Sequence, residues 1–356
     1  MSARALLLAV FWTLGSVAAF AEDGPRLSNG KPDLSGTYNI ATLTPLERPR
    51  EFGENLYLTP EQAEEIVAEE QRQIALGAAA SDPNRDAPNA GGSAPVGLDE
   101  SQAEASGAGN VGGYNNFWID RGDSVVMVDG KFRTSILTDP PNGRRPPPTP
   151  ERMKFFATLR DFFRPNDGSA YWIDWPAEKP GPYDNPEQRP LPERCLASFT
   201  STVPALPGLY NNYKRIVQTA DTVIILNEMV HDPRIVRMNA EHYPADVTMM
   251  WGDSVGSWDG DTLVVDTKNF SPSEGFFGNS ATLHVIERFT RIDDGTLRYE
   301  FTVDDPSRFQ APYTGDYVWP ASDDKVYEYA CHEGNYALGG ILRGARELEK
   351  EALQGQ

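Results

Sequence analysis

Cysteine is nearly absent from this chain: Cys195 and Cys331 are the two in 356 residues. They form no CxxC pair, and the four histidines (His231, His242, His284, His332) form no HxH or HExxH pattern. Zinc-type ligand spacing is therefore missing. No P-loop is present, and no glycine pattern lies between a strand and a helix as a dinucleotide fingerprint requires. Neither a metal nor an organic cofactor is expected. Positive charge is also short, with 32 Lys and Arg against 52 Asp and Glu, a net charge of −20. That argues against nucleic acid or an anionic membrane as partner and suits a soluble protein meeting neutral or cationic molecules. Beyond the N-terminus no run is apolar enough to cross a bilayer.

The first 21 residues read as a cleavable signal peptide, with Arg4 as the basic region and an apolar stretch from Ala5. Ala19-Phe20-Ala21 fits the small-x-small cleavage pattern. A membrane anchor would need a longer apolar run, and no cysteine follows for lipidation. Export to the periplasm or medium, with cleavage after Ala21, is expected. In such a compartment an even cysteine pair becomes a disulfide, so Cys195–Cys331 is expected; two buried free thiols are the alternative.

Residues 22–76 hold a strand near Leu34–Tyr38 and a helix. Thr59 caps that helix, Pro60 opens it and Gln62 completes a capping box. Residues 77–113 have almost no large apolar side chains and read as a flexible low-complexity loop. Residues 114–346 form the main domain, and 347–356 a polar tail. The domain has a second helix capped by Thr149, a Pro- and aromatic-rich segment over 171–192, and many strands joined by short turns. Asn116–Asp120, Ser124–Val128 and Arg133–Thr138 read as early strands and Val326–Glu333 as the last. Short turns demand antiparallel neighbours. The fold expected is mainly β: an antiparallel, lipocalin-like β-barrel with two or three peripheral helices.

The Asp293-Asp294-Gly295 turn fixes a register. A three-residue loop with a left-handed glycine pairs Phe289 with Tyr299, Glu287 with Phe301 and Val285 with Val303. It gathers the apolar residues of both strands on one face, whereas a two-residue loop pairs Phe289 with Glu300 and scatters them. The first register sets Glu287 in a row with Leu283, Val285 and Phe289. A carboxylate there is either paired with an inward Arg or raised in pKa, and the second case makes it a candidate acid or base. His284 falls on the opposite face beside Arg288.

Two further clusters draw attention. Glu228, His231, Asp232 and Arg234 lie at the end of a strand that is apolar on both faces, where a histidine beside an acid suits general-base chemistry. His332 and Glu333 follow Cys331, and a disulfide would hold them rigid. Each cluster has a structural alternative: a rim histidine beside an Asp-Pro turn, and a bridge that serves no site. Gly252-Asp253-Ser254 and Gly260-Asp261-Thr262 read as turn chemistry, since a calcium loop needs more regularly spaced acids.

Several segments carry a resemblance: Glu193-Arg194-Cys195-Leu196, Glu228 to Arg234, Trp258 to Thr267 and Tyr327 to Tyr336. They look like the signature of a large group of exported bacterial proteins of unknown function. The resemblance covers residues 114–346; it implies export and no activity. Gly36-Thr37-Tyr38 is loosely similar to the Gly-x-Trp opening of lipocalin-like barrels, with Tyr replacing Trp. The function expected is acid–base chemistry of lyase, hydratase or isomerase type on a small hydroxylated aromatic or terpenoid molecule. His231 would be base or acid, Asp232 or Glu228 its orienter, Glu287 or His332 the second proton carrier, and Arg234 the holder of an anionic or carbonyl oxygen. The alternatives are a periplasmic small-ligand-binding protein, and a carbohydrate-active enzyme using Glu228 and Glu287 as its two carboxylates.

Overall fold

The computed structural model describes residues 24–77, 119–162, 168–176, 178–198, 200–272 and 279–354. The expected signal peptide, the expected low-complexity loop beyond residue 77 and most of the strand expected at Asn116–Asp120 lie outside the described residues.

The protein is mainly β. A ten-stranded sheet runs β1 (Gly36–Asn39), β5 (Tyr213–Gln218), β6 (Thr222–Asn227), β7 (Pro233–Met238), β8 (Asp253–Asp259), β9 (Thr262–Lys268), β10 (His284–Asp293), β11 (Thr296–Asp304), β12 (Tyr313–Pro320) and β4 (Leu137–Asp139). A small hairpin of β2 (Met127–Val128) and β3 (Lys131–Phe132) turns at Asp129-Gly130 as the sequence predicts. The large sheet curls into a half-barrel. It bends far enough for Tyr38 to bridge Ala321 beyond β12, with the Ser322 amide donating to the Thr37 carbonyl at 2.8 Å. The architecture approximates the lipocalin-like barrel expected.

Alternation explains why these segments are strands. Val223 and Ile225 on β6, Leu263 and Val265 on β9, Val285 and Phe289 on β10, and Leu297, Tyr299, Phe301 and Val303 on β11 are all buried, and their neighbours are partly exposed. The register at Asp293-Asp294-Gly295 is the predicted one: Phe289 opposes Tyr299, Glu287 opposes Phe301 and Val285 opposes Val303. The aromatic core centres on Tyr299, whose ring lies 4.6 Å from Trp319 and 5.0 Å from Phe289. Gly315 lets β12 close on this core, because a Cβ there would meet the Phe301 ring at 2.6 Å and the Ile136 carbonyl at 2.9 Å.

Three features depart from expectation. The β7–β8 pair is parallel, because residues 239–252 supply the long crossover that parallel strands require. The predicted strand Val326–Glu333 does not form. Its Tyr residues alternate, but Tyr327 is 74% exposed and the segment runs into the helical turn α3 (Cys331–Gly334). Ser124–Val128 and Arg133–Thr138 contribute only the short β2 and β4. Among the described residues there are four α-helices, α3 being a single turn.

Helix α1 (Pro60–Gly77) begins with the predicted capping box: the Thr59 amide donates to Gln62 Oε1 at 2.9 Å and the Gln62 amide to Thr59 Oγ1 at 3.3 Å. Helix α2 (Pro150–Phe162) is capped by Thr149, whose Oγ1 accepts from the Arg152 amide at 3.1 Å. The polar tail joins the last helix, α4 (Tyr336–Gln354). Ala345 of α4 is buried against Trp172, and Trp172 donates to Glu349 at 2.6 Å, so the aromatic segment serves as a seat for that helix.

A strap over residues 197–198 and 200–206 lies across the inner face of the sheet, with Ala197, Ser198, Thr200, Ser201, Val203 and Ala205 buried. The disulfide Cys195–Cys331 ties the start of this strap to α3 across 136 residues of chain. Closing a loop of this length stabilises by about 3–5 kcal/mol in the chain-entropy picture. A Cys195→Ser/Cys331→Ser double variant is expected to lose an amount in that range on denaturant unfolding; an unchanged midpoint and slope would contradict the anchoring role.

Candidate functional site

The inward row of β10 places Glu287 at the centre of the sheet, fully buried. Arg234 reaches it from β7 in a two-pronged pair, Nη1 to Oε2 at 2.6 Å and Nη2 to Oε1 at 3.0 Å. Tyr299 on β11 donates its hydroxyl to the same Oε1 at 2.6 Å and accepts the Ala205 amide of the strap at 2.9 Å. Tyr317 donates to the Ala205 carbonyl at 3.0 Å. The strap and four strands thus share one hydrogen-bonded network. Burial alone would lower the Arg234 pKa, but the Glu287 carboxylate more than offsets it, and the net direction is upward. Burial, reinforced by Glu287, pushes the Tyr299 hydroxyl well above its ordinary value. Of the two alternatives the sequence offers for Glu287, the geometry is that of pairing with an inward Arg.

Lys214 on β5 is fully buried nearby. Its Nζ donates to the Thr200 carbonyl of the strap and, at 2.6 Å, to Asn227 Oδ1. Burial and, next, Arg234 hold its pKa down to about 7, against the opposing pull of Glu228. The half-barrel interior is therefore filled by the strap, by aromatic rings and by paired charges.

The remaining predicted site residues do not enter this network. β6 turns its Val223, Ile225 and Asn227 inward and ends there; Glu228 follows with helical backbone angles, is half-buried and accepts the Tyr213 amide at 3.1 Å. After it the chain makes a tight turn with Val230 (φ 67°) and His231 (φ 52°) in the left-handed region. A β-branched residue there is a genuine outlier. His231 Nε2 meets the Tyr327 carbonyl at 2.6 Å. Asp232 accepts the indole N–H of Trp251, and burial raises its carboxyl to about 6. His332 and Glu333 are exposed on α3. So Arg234 and Glu287 meet inside, His231 and Asp232 sit at the rim, and His332 stands on the surface.

Two features went unread in the sequence. Asp253 at the start of β8 accepts from Arg237 (2.9 Å), His242 Nδ1 (3.0 Å) and the Tyr243 amide (2.9 Å). Burial opposes its ionisation, but these donors together bring its carboxyl below the ordinary value. Asp266 then lies between His242 Nε2 (3.3 Å) and His284 Nε2 (3.0 Å). Among the described residues no group of His, Cys, Asp and Glu has the geometry to hold a metal ion. Gly252-Asp253-Ser254-Val255-Gly256 also has the spacing of a nucleophile elbow. Ser254 is nevertheless buried within a strand and bonded to Thr267 Oγ1 at 2.9 Å, with no strand-to-helix turn to expose it.

The second unread feature is a groove of about 1370 Å³ at the edge of the barrel core, between the segment 42–47, α1, the Pro146–Pro148 run, the first turns of α2 and the loops at 206–209 and 308–313. Its apolar wall includes Leu46, Pro147, Phe156, Leu206, Phe309 and Tyr313. Burial pushes the Tyr313 hydroxyl up to about 12. Three of its arginines are matched by acids: Arg144 and Arg145 by Glu47 at 3.2 and 2.5 Å, and Arg121 by Glu70 at 3.2 Å. The sequence signal was the Pro-rich stretch between the two helices, legible as a wall only once α1 and α2 are placed.

No family model, curated protein or solved structure matches this chain. The likeness to exported bacterial proteins rests on the sequence segments quoted above.

Two outcomes follow from this geometry. Glu287→Gln strands the Arg234 guanidinium in the interior, and breaking a buried pair costs about 3–5 kcal/mol; denaturant unfolding should show a loss of that size, and a loss below about 1 kcal/mol would mean the pair is solvated. For Asp232, the folded carboxyl titrates near 6, above the unfolded value of about 3.9. The folded state binds this proton more tightly, so the group's contribution is largest below the unfolded value and is lost as pH rises through 6. Asp232→Asn removes that loss. Its melting temperature relative to wild type should rise between pH 4 and pH 7, and a constant difference would contradict the burial of the carboxyl.

Proposed function

We propose that this chain is an exported small-ligand-binding protein, periplasmic or secreted after cleavage at Ala21, with the outer groove as its binding site. One observation carries the reading: the sheet centre is filled by the strap, aromatic rings and the Arg234–Glu287 pair, while the groove at the edge of this core offers about 1370 Å³ against a mostly apolar wall. Ligand sites are typically concave and apolar with a few polar groups fixing orientation. The Cys195–Cys331 disulfide fits an oxidising compartment, and among the described residues no helix is long and apolar enough to cross a membrane.

A second reading, the acid–base enzyme, is favoured by the rim alone. There a strained turn sets His231 beside an Asp232 carboxyl held near 6, within the range useful for proton transfer at neutral pH. The binding reading takes precedence because the groove is built from several elements and the rim pair lines no part of it.

Titration with the neutral fluorophore N-phenyl-1-naphthylamine tests it. Saturable binding with a blue shift is expected. Phe156→Ser, on a residue already 39% exposed and so tolerated by the fold, should weaken it about tenfold, as expected for removing roughly 1.4 kcal/mol of apolar contact. Absence of saturable binding, or indifference to Phe156→Ser, would overturn the assignment.

A further inference from the structure

The groove reverses the electrostatics of the chain that carries it. The protein has a net charge of −20, yet among the described residues five arginines and three glutamates line this groove. Arg121, Arg144 and Arg145 already face acids. Arg152 and Arg308 lie on the wall formed by α2 and the loop before β12.

Arg152 is the unusual one. Its guanidinium stacks over the Phe155 and Phe156 rings, at 4.7 and 4.5 Å from their centroids, and makes no ion pair or side-chain hydrogen bond among the described residues. It is only partly exposed. Burial, followed by the like charge of Arg308, depresses its pKa to about 10, with Asp305 opposing. Asp305 does not serve as its partner. That carboxylate is 2% exposed, accepts the hydroxyls of Ser280, Thr282 and Ser307 at 2.7, 2.7 and 2.9 Å, and lies 3.5 Å from Arg308 Nε. A partly desolvated guanidinium held beside another cation is unfavourable unless an anion completes the site. Stacking on two rings fixes the plane of its fork, and a planar fork matches a carboxylate bidentately. The apolar wall within the same groove supplies the surface for the rest of such a molecule.

We infer that the groove takes an amphipathic monocarboxylate, its apolar body along Leu206, Phe309 and the proline run and its carboxylate on Arg152. This rests on the groove being the binding site and adds the chemical class. It also refines the expectation from composition: the surface as a whole suits neutral or cationic partners, while this groove is a local exception.

Decanoate and decan-1-ol, matched in chain and differing in head group, separate the two levels when titrated calorimetrically below their aggregation limits. Decanoate should bind wild type at least tenfold tighter than decanol, and added salt should weaken decanoate alone. Arg152→Met keeps the apolar stem on the Phe rings and removes the charge, so it should abolish the preference and leave decanol affinity unchanged. Decanol binding as tightly as decanoate, or a preference that survives in Arg152→Met, would overturn the carboxylate anchor and leave the groove standing. Binding of neither probe would overturn the groove as well. Should Arg152→Met unfold, the salt response of the wild type decides the matter alone, since an ion pair weakens with ionic strength and apolar contact does not.

Discussion

Everything inside the half-barrel depends on one buried ion pair. Arg234 and Glu287 face each other across the curled sheet with two short hydrogen bonds, and Tyr299 extends the pair to the strap at Ala205. Charges withdrawn from water are tolerable only when their bonding capacity is met. Meeting it requires β7, β10, β11 and the strap to hold one relative position. The pair is therefore better understood as a constraint on geometry than as a source of net stability, because a well-packed apolar replacement often does as well. What it excludes is the use of the interior as a pocket.

This filling separates two roles that a ligand-binding barrel usually combines. The sheet supplies a rigid body, and the elements packed outside it supply a concavity. The Pro146–Pro148 run is suited to that second role, since its backbone angles are fixed and Gln310 holds it through the Pro147 and Pro148 carbonyls. The disulfide adds a clamp at the other end of the strap, joining it to the C-terminal helices.

Much of the sheet was legible in the sequence because its signals are local. The Asp293-Asp294-Gly295 turn and the alternation around it fix the β10–β11 register, and that register places Glu287 inside. The Thr59–Gln62 capping box places α1 for the same reason. The parallel β7–β8 contact was not legible, since a 14-residue connection has no turn chemistry to announce its direction. Val326–Glu333 has strand-like alternation without a strand to pair with, and period-two pattern is necessary but not sufficient. The candidate site was the least legible part. Glu228, His231 and Asp232 are close in sequence to Arg234, but they lie in the tight turn between β6 and β7, while Arg234 points inward from β7. The groove needed α1, the proline run and α2 to come together, and no local pattern encodes that meeting.

The division between a sealed interior and an outer groove is tested most directly by crystallography with a bromine-labelled aliphatic ligand. Anomalous density is expected in the groove, beside Phe156 and Phe309, with the Arg234–Glu287–Tyr299 network unchanged. Density within the half-barrel, with the strap displaced from Tyr299, would contradict it.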